Sequence, residues 1–248
     1  PSDAWRHGDL FKWFVEWPGG GGERIPAYAT RCVQDASTKL FSAQIWAPAE
    51  QYGWRCRQAV RVSSPLLYEA HIGMSSEAEE VASFNYFTEN VLPRVAQLGY
   101  NTIQLMALQE HPYYGSFGYQ VSNFYALSSR YGTPEEFKRL VDEAHRLGLA
   151  VNMDLVHSHD VKNELEGLSR FDGTYTTYFH GGDRGNHPAW DSRCFDYGKS
   201  ETIHFLLSNC KFWMEEYHLD GFRFDGVTSM LYHNHGIGVD FCGYDNSF

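Results

Sequence analysis

The stretch from Thr133 to His159 reads TPEEFKRLVDEAHRLGLAVNMDLVHSH, and its two halves carry different periods. Thr133 suits an N-cap, Pro134 suits the first helical position because its missing N–H has no partner there, and Glu136 completes a capping box. Gly148 can take the left-handed conformation that closes a helix. Between these signals Phe137, Leu140, Val141, Ala144 and Leu147 recur at helical spacing and form one apolar stripe. Leu149 to Val156 follows at once as a short apolar run, the composition of a strand buried on both faces of a parallel sheet. The stretch is a helix that hands the chain straight back to a buried strand.

Outward from it the alternation repeats. Strands are expected at Leu66 to Ile72, Thr102 to Leu108 and Gly221 to Asp225 as well as Leu149 to Val156. One helix is expected to end near Gly99 after Val91, Leu92 and Val95, with Pro93 near its first turn. Another starts after Ser200, its stripe made of Ile203, Leu206, Leu207, Cys210, Trp213 and Tyr217. Four βα units of this kind are the signature of an α/β fold, a parallel sheet or barrel. Residues 1–64 read differently: short aromatic and β-branched runs broken by turns, with Phe41 to Trp46 partly alternating, predict a β-rich lead-in. The expected division is therefore 1–64 and 65–248, with an inserted loop at 157–199. A loop so long and so rich in Gly, Asp, His and aromatics is expected to bind something.

Composition narrows the function. The chain has 20 basic and 31 acidic residues, net −11, and no basic stripe, which argues against nucleic acid. Cys32, Cys56, Cys194, Cys210 and Cys242 contain no C-x-x-C pair, so neither a zinc site nor a disulfide framework is expected, and a reducing compartment fits. No apolar run has the length of a membrane span and no signal pattern opens the chain, so a soluble protein away from membranes is expected. A start at Pro1 and an end at Phe248 suggest a fragment or a processed form.

In parallel barrels the loops after the strands build the site, so polar residues there carry a functional expectation. In Gly221-Phe222-Arg223-Phe224-Asp225 the strand period turns Arg223 and Asp225 to one face. A guanidinium beside a carboxylate keeps it ionised, as a nucleophile requires, although a purely structural ion pair uses the same residues. The neighbouring strand ends with Asp154, His157, His159 and Asp160. With His233 and His235 these are ligand types, but the spacing of a zinc motif is absent, so no metal is expected and hydrogen bonding to a polar substrate is preferred. The loop Glu110 to Gln120 adds aromatics, among which Tyr119 suits a sugar platform or, equally, packing.

These residues resemble the α-amylase superfamily, whose shared regions have the forms Asp-x-Val-x-x-His and Gly-Phe-Arg-x-Asp. Asp154, Val156 and His159 match the first, and Gly221 to Asp225 match the second, in the right order. Within it the chain is similar to 1,4-α-glucan branching enzymes of eukaryotic type, through Tyr68 to Met74, Glu110 to Gln120, Ser129 to Glu136 and Asp220 to Met230. The resemblance implies the first half of a (β/α)8 TIM barrel behind the end of a β-sandwich-like domain. It implies that Asp225 is the nucleophile, held ionised by Arg223, and that Tyr119, Asp154, His159, Gln120 and His111 bind the sugar. It further implies an α-1,4-glucan substrate (glycogen, amylose or amylopectin), no cofactor, and a cytoplasmic or plastid location. The family's general-acid glutamate and final His-Asp pair sit on later strands that the chain lacks, so the 248-residue polypeptide alone is expected to be inactive and poorly stable. A lesser departure is Ser200, where relatives usually carry tryptophan. Two alternatives remain open: a hydrolase or debranching relative that shares Asp154, His159, Arg223 and Asp225, and a non-catalytic glucan-binding truncation.

Overall fold

Four strands form one parallel sheet in the computed structural model, which describes residues 5–56 and 59–238. They are β1 (Leu67–Ala70), β2 (Thr102–Leu105), β3 (Ala150–Leu155) and β4 (Gly221–Phe224), and their spatial order is β4-β3-β2-β1. Neighbours in space are thus neighbours in this series. Parallel neighbours need a crossover, and a helix lies in each: α1 (Leu92–Gln97), α2 (Pro134–Arg146) and α3 (Ser200–Tyr217).

Helix α2 has the ends its sequence predicts. The Thr133 hydroxyl accepts from the Glu136 N–H while the Glu136 carboxylate accepts from the Thr133 N–H. Gly148 has φ +78°. The α2 stripe of Phe137, Leu140, Val141 and Ala144 is fully buried against Ile103, Leu105, Val151, Met153 and Leu155 of the sheet.

Two expectations need correction, and one helical segment begins earlier than its signals indicate. The strands are not apolar on both faces: the period of two turns Ile103, Leu105, Val151, Met153 and Leu155 to the helices, while Glu69, Gln104 and Asn152 align in one row on the other face. Gln104 Nε2 donates to Glu69 Oε1 across that row at 2.9 Å. The inward stripe of α3 is also different, because Ile203 and Leu207 are 39% and 66% exposed while Thr202, Phe205 and Asn209 are buried beside Leu206, Trp213 and Tyr217. Asn209 can face inward because Gln109, His157 and the Phe124 carbonyl satisfy its amide. Finally, Pro93 lies in the first turn of α1, but helical structure begins earlier. A single turn at Phe84–Tyr86, capped by Ser83, passes through a π-turn at Phe87–Val91, and the wider turn sits just where a proline ring crowds the preceding carbonyls.

The lead-in carries five short strands among its described residues. Leu10–Phe11 and Cys32–Gln34 flank Phe41–Gln44 in an antiparallel sheet, and Trp13–Trp17 pairs with Gly20–Arg24 as a hairpin. Phe41 and Ala43 point into a small core with Ile25, Cys32 and Ala126. Arg31 Nη1 donates to the Gly132 carbonyl at 2.6 Å, and Arg24 donates twice to the Arg170 carbonyl, so this region rests on the α/β part through buried cationic side chains. The segment 157–199 is ordered around a three-stranded antiparallel sheet of Asp160–Val161, Ser192–Arg193 and Asn186–His187. Cys32, Cys56, Cys194 and Cys210 are free thiols; Cys242 lies outside the described residues.

Candidate active site

The register of β3 on β4 sets Asp154 directly opposite Arg223 on the polar face of the sheet. Two residues on, Asp225 leaves β4 on that same face, its N–H donating to the Leu155 carbonyl at 3.0 Å. Arg223 Nη1 lies 2.8 Å from Asp154 Oδ2 and 3.0 Å from Asp225 Oδ1, so one guanidinium nitrogen bridges two carboxylates. The Tyr119 hydroxyl donates to the same Asp154 Oδ2 at 2.7 Å. The strand period therefore delivers what it predicted for Arg223 and Asp225. That Asp154 is the acid Arg223 also holds follows only from the pairing of the strands.

The two carboxylates differ in environment. The Asp154 side chain has no solvent exposure, whereas those of Asp225 and Arg223 are 24% and 43% exposed. Burial raises the Asp154 carboxyl above its ordinary range, against the downward pull of the Tyr119 hydroxyl and Arg223. Burial lowers the Arg223 guanidinium, but Asp154, Asp225 and Tyr119 together outweigh it and the net shift is upward. The Tyr119 phenol is pushed far up, by burial first and then by Asp154. Asp154 Oδ1 is buried and has no hydrogen-bond partner in the described residues.

His159, at the end of the β3 segment, places Nε2 2.7 Å from the Tyr119 carbonyl and Nδ1 2.9 Å from Ser158 Oγ. Burial lowers its pKa, so it is a neutral ring near neutrality. Gln120 donates from Nε2 to the Trp190 carbonyl at 2.8 Å, and its Oε1 is buried without a partner. These residues gather with Asp154, Arg223 and Asp225. His111 does not join them: it is fully buried, its Nδ1 is 2.9 Å from the Gln109 carbonyl, and its own carbonyl accepts from Arg130 at 2.6 Å. Burial drops its pKa to about 4.

Three neighbours escaped the sequence reading. Trp190 of the inserted segment packs on His159, with ring centroids 5.0 Å apart. Gly226, at φ +62°, follows Asp225, and a Cβ there would lie 2.7 Å from Ser158 Oγ and 2.9 Å from the Trp190 ring, so glycine is required by both backbone and space. Asn209 of α3 supports the end of β3 from behind through His157. Only the glycine after Asp225 carried a usable signal. Among the described residues no group of three or more His, Cys, Asp or Glu side chains is placed to hold a metal ion, and no helix is long and apolar enough to cross a membrane.

Chemically, the arrangement offers a solvent-accessible carboxylate beside a fixed cation, a buried acid with one free oxygen, and a neutral imidazole, all at one end of a parallel sheet. Such a set can hold and attack a polar, uncharged substrate.

Comparison with known proteins gives the family context. Residues 88–196 match the alpha amylase catalytic domain. A 1,4-alpha-glucan-branching enzyme of Aspergillus oryzae is 58% identical over 223 residues, 89% of this chain and 32% of that protein. Another from Dictyostelium discoideum is 51% identical over 243 residues, 98% of this chain and 36% of that protein. The chain thus spans about a third of the length of the curated relatives it matches. A pullulanase from Bacillus acidopullulyticus superposes with a TM-score of 0.74 at 20% identity, over 90% of this chain and 31% of that structure. The likeness shows the fold, part of a TIM-barrel-type α/β domain. The resemblance to 1,4-α-glucan-branching enzymes holds along nearly the whole chain.

Proposed function

We propose that this chain is a segment of the catalytic region of a 1,4-α-glucan branching enzyme, a transglycosylase of the α-amylase family. On this reading β1 to β4 are the first four strands of a (β/α)8 barrel, residues 65–248 belong to that barrel, and residues 1–64 are the end of a preceding β domain. The observation that carries the reading is the single Arg223 nitrogen shared by Asp154 and Asp225 at the ends of adjacent parallel strands.

Asp225 is the nucleophile. Its carboxylate attacks the anomeric carbon of an α-1,4-linked glucose, the C1–O4 bond breaks, and a covalent glycosyl-enzyme forms. The leaving 4-oxygen needs a proton from a second carboxylic acid, which in a retaining mechanism stands about 5 Å from the nucleophile and here would come from outside the chain. A sugar 6-hydroxyl then attacks C1, loses its proton to that acid's conjugate base, and frees Asp225 as the α-1,6 branch forms. Arg223 Nη1, 3.0 Å from Asp225 Oδ1, holds that carboxylate in place between turnovers. Asp154 Oδ1, buried and without a partner among the described residues, supports a role as acceptor for a sugar hydroxyl; the Tyr119 hydroxyl bonds the other oxygen of Asp154, and His159 bonds the Tyr119 carbonyl. Gln120 acts through Trp190. His111, enclosed as described, takes its expected part in sugar binding only if its loop opens. The partners are α-1,4-glucans, and no cofactor enters the chemistry.

The test is to incubate amylose with this polypeptide and with one extended through further βα units, and to quantify new α-1,6 linkages and new reducing ends. Branches without reducing ends, from the extended protein alone, are expected. Reducing ends in place of branches would make the enzyme a hydrolase.

A further inference from the structure

Trp190 belongs to the inserted segment, yet it meets three separate pieces of the site. Its indole stacks flat on His187, with centroids 3.8 Å apart and planes at 5°, and His187 is itself 4% exposed and fixed by strand pairing with Ser192. Its other contacts are to the site: the His159 ring at 5.0 Å and 47°, and Gly226, whose missing side chain leaves the room the indole occupies. The Trp190 carbonyl accepts from Gln120 at 2.8 Å. Asp191, directly after it, has φ +46° and is tied to Lys162 at 2.7 Å, which turns the chain back into the small sheet.

We infer that Trp190 is a positioning residue: an aromatic wedge, mounted on the sheet of the inserted segment, that fixes the His159 ring and the backbone immediately after Asp225 relative to one another. This rests on the reading that Asp225 and His159 belong to a glucan-cleaving site. The physical case is one of rigidity. Gly226 sits in a left-handed conformation with its carbonyl tied to the Ser229 N–H at 2.9 Å, so packing over that turn adds to the Leu155 and Arg223 contacts in setting the Asp225 carboxylate. The indole is the large rigid group there. Among the described residues the His159 ring is hydrogen-bonded to Ser158 and the Tyr119 carbonyl, and the ring face against Trp190 restrains its tilt. Reaction rates respond steeply to displacement of a nucleophile, by up to about a hundredfold per ångström.

The test compares Trp190→Leu, which keeps apolar volume but not a planar ring, with Trp190→Phe, which keeps the ring, in the polypeptide extended through further βα units. Cleavage of amylose is followed whether it ends in branches or in reducing ends. The expected result is a fall in kcat of about tenfold or more for Trp190→Leu, KM within about threefold, Tm within a few degrees, and at least half of kcat retained by Trp190→Phe. The His159 imidazole should also titrate at higher pH in Trp190→Leu, because water reaches a ring now shielded. Three results would overturn the inference: kcat within about twofold for Trp190→Leu; KM rising with kcat unchanged, which makes the indole a sugar contact; or an equal loss in Trp190→Phe at unchanged Tm. A parent enzyme that cleaves without making branches would refute the branching reading while leaving the comparison of variants intact.

Discussion

Tyr119 and Asp154 are joined at 2.7 Å by a phenol that donates to a carboxylate with no exposure to water. Tyr119 comes from the loop after β2 and Asp154 from β3 itself, so the bond locks the Glu110 to Gln120 loop onto the end of β3. Tyr119→Phe removes the donor and leaves Arg223 as the remaining partner of Asp154 Oδ2. Loss of one partner of a buried charged acceptor costs about 1–3 kcal/mol. A drop of that size in unfolding free energy is expected by denaturant titration, together with a fall in turnover of about tenfold or more as the Asp154 carboxyl loses a group that holds it ionised.

Arg223→Lys keeps a positive charge but moves it from the end of a longer side chain with a rigid planar head to a shorter, flexible stem. A lysine amine is not pre-placed where Arg223 Nη1 meets the two carboxylates at 2.8 and 3.0 Å. The account predicts a kcat loss of about a hundredfold with little change in Tm, measured on the extended enzyme. Retention of most activity would mean that Arg223 supplies only field.

Asp220 sits at the other end of β4 and has no part in the proposed chemistry. Its Oδ2 accepts from the Val151 N–H at 2.7 Å and faces His145 Nε2 at 2.8 Å, and its Oδ1 accepts from the Val60 N–H at 2.9 Å. It therefore pins the segment before β1, α2 and β3 together. Asp220→Ala strands these donors and is expected to cost about 2–4 kcal/mol, read by chemical denaturation.

Asp160 carries the pH dependence. It is fully buried, among the described residues neither carboxylate oxygen has a partner meeting hydrogen-bond geometry, and burial raises its pKa well above the ordinary value. A group held more tightly protonated when folded stabilises the fold in acid, and that contribution is lost as pH rises past the ordinary carboxylate range toward the folded pKa. Asp160→Asn should therefore match the parent protein near pH 4 and exceed its Tm by several degrees at pH 8. Equal Tm values at both pH values would show that the Arg193 field nearby keeps Asp160 comfortably charged.

Local rules made much of this legible. The caps of α2, its buried stripe, four strands with helices between them, and the shared face of Arg223 and Asp225 all follow from periods and end signals within one segment. What could not be read depends on pairing between segments. Nothing in the run Asn152 to Val156 says that Asp154 will stand opposite Arg223, because register is set by two strands at once. The α3 face is hidden for a similar reason: Ile203 and Leu207 look like core, but Gln109, His157 and the Phe124 carbonyl, all from other segments, satisfy Asn209 on the inward face instead. Trp190 lay in a segment with no period at all, and its place over Gly226 is a property of the folded loop alone.

The most direct test of the central claim is to trap the intermediate. The extended enzyme is incubated with a fluorinated α-glucosyl fluoride, which forms the glycosyl-enzyme faster than it is released, and the digested protein is mapped by mass spectrometry. The account predicts one added sugar on the peptide containing Gly221 to Asp225, located at Asp225 and absent in Asp225→Asn. A sugar attached to Asp154 or to any other carboxylate, or steady turnover with no adduct, would contradict it.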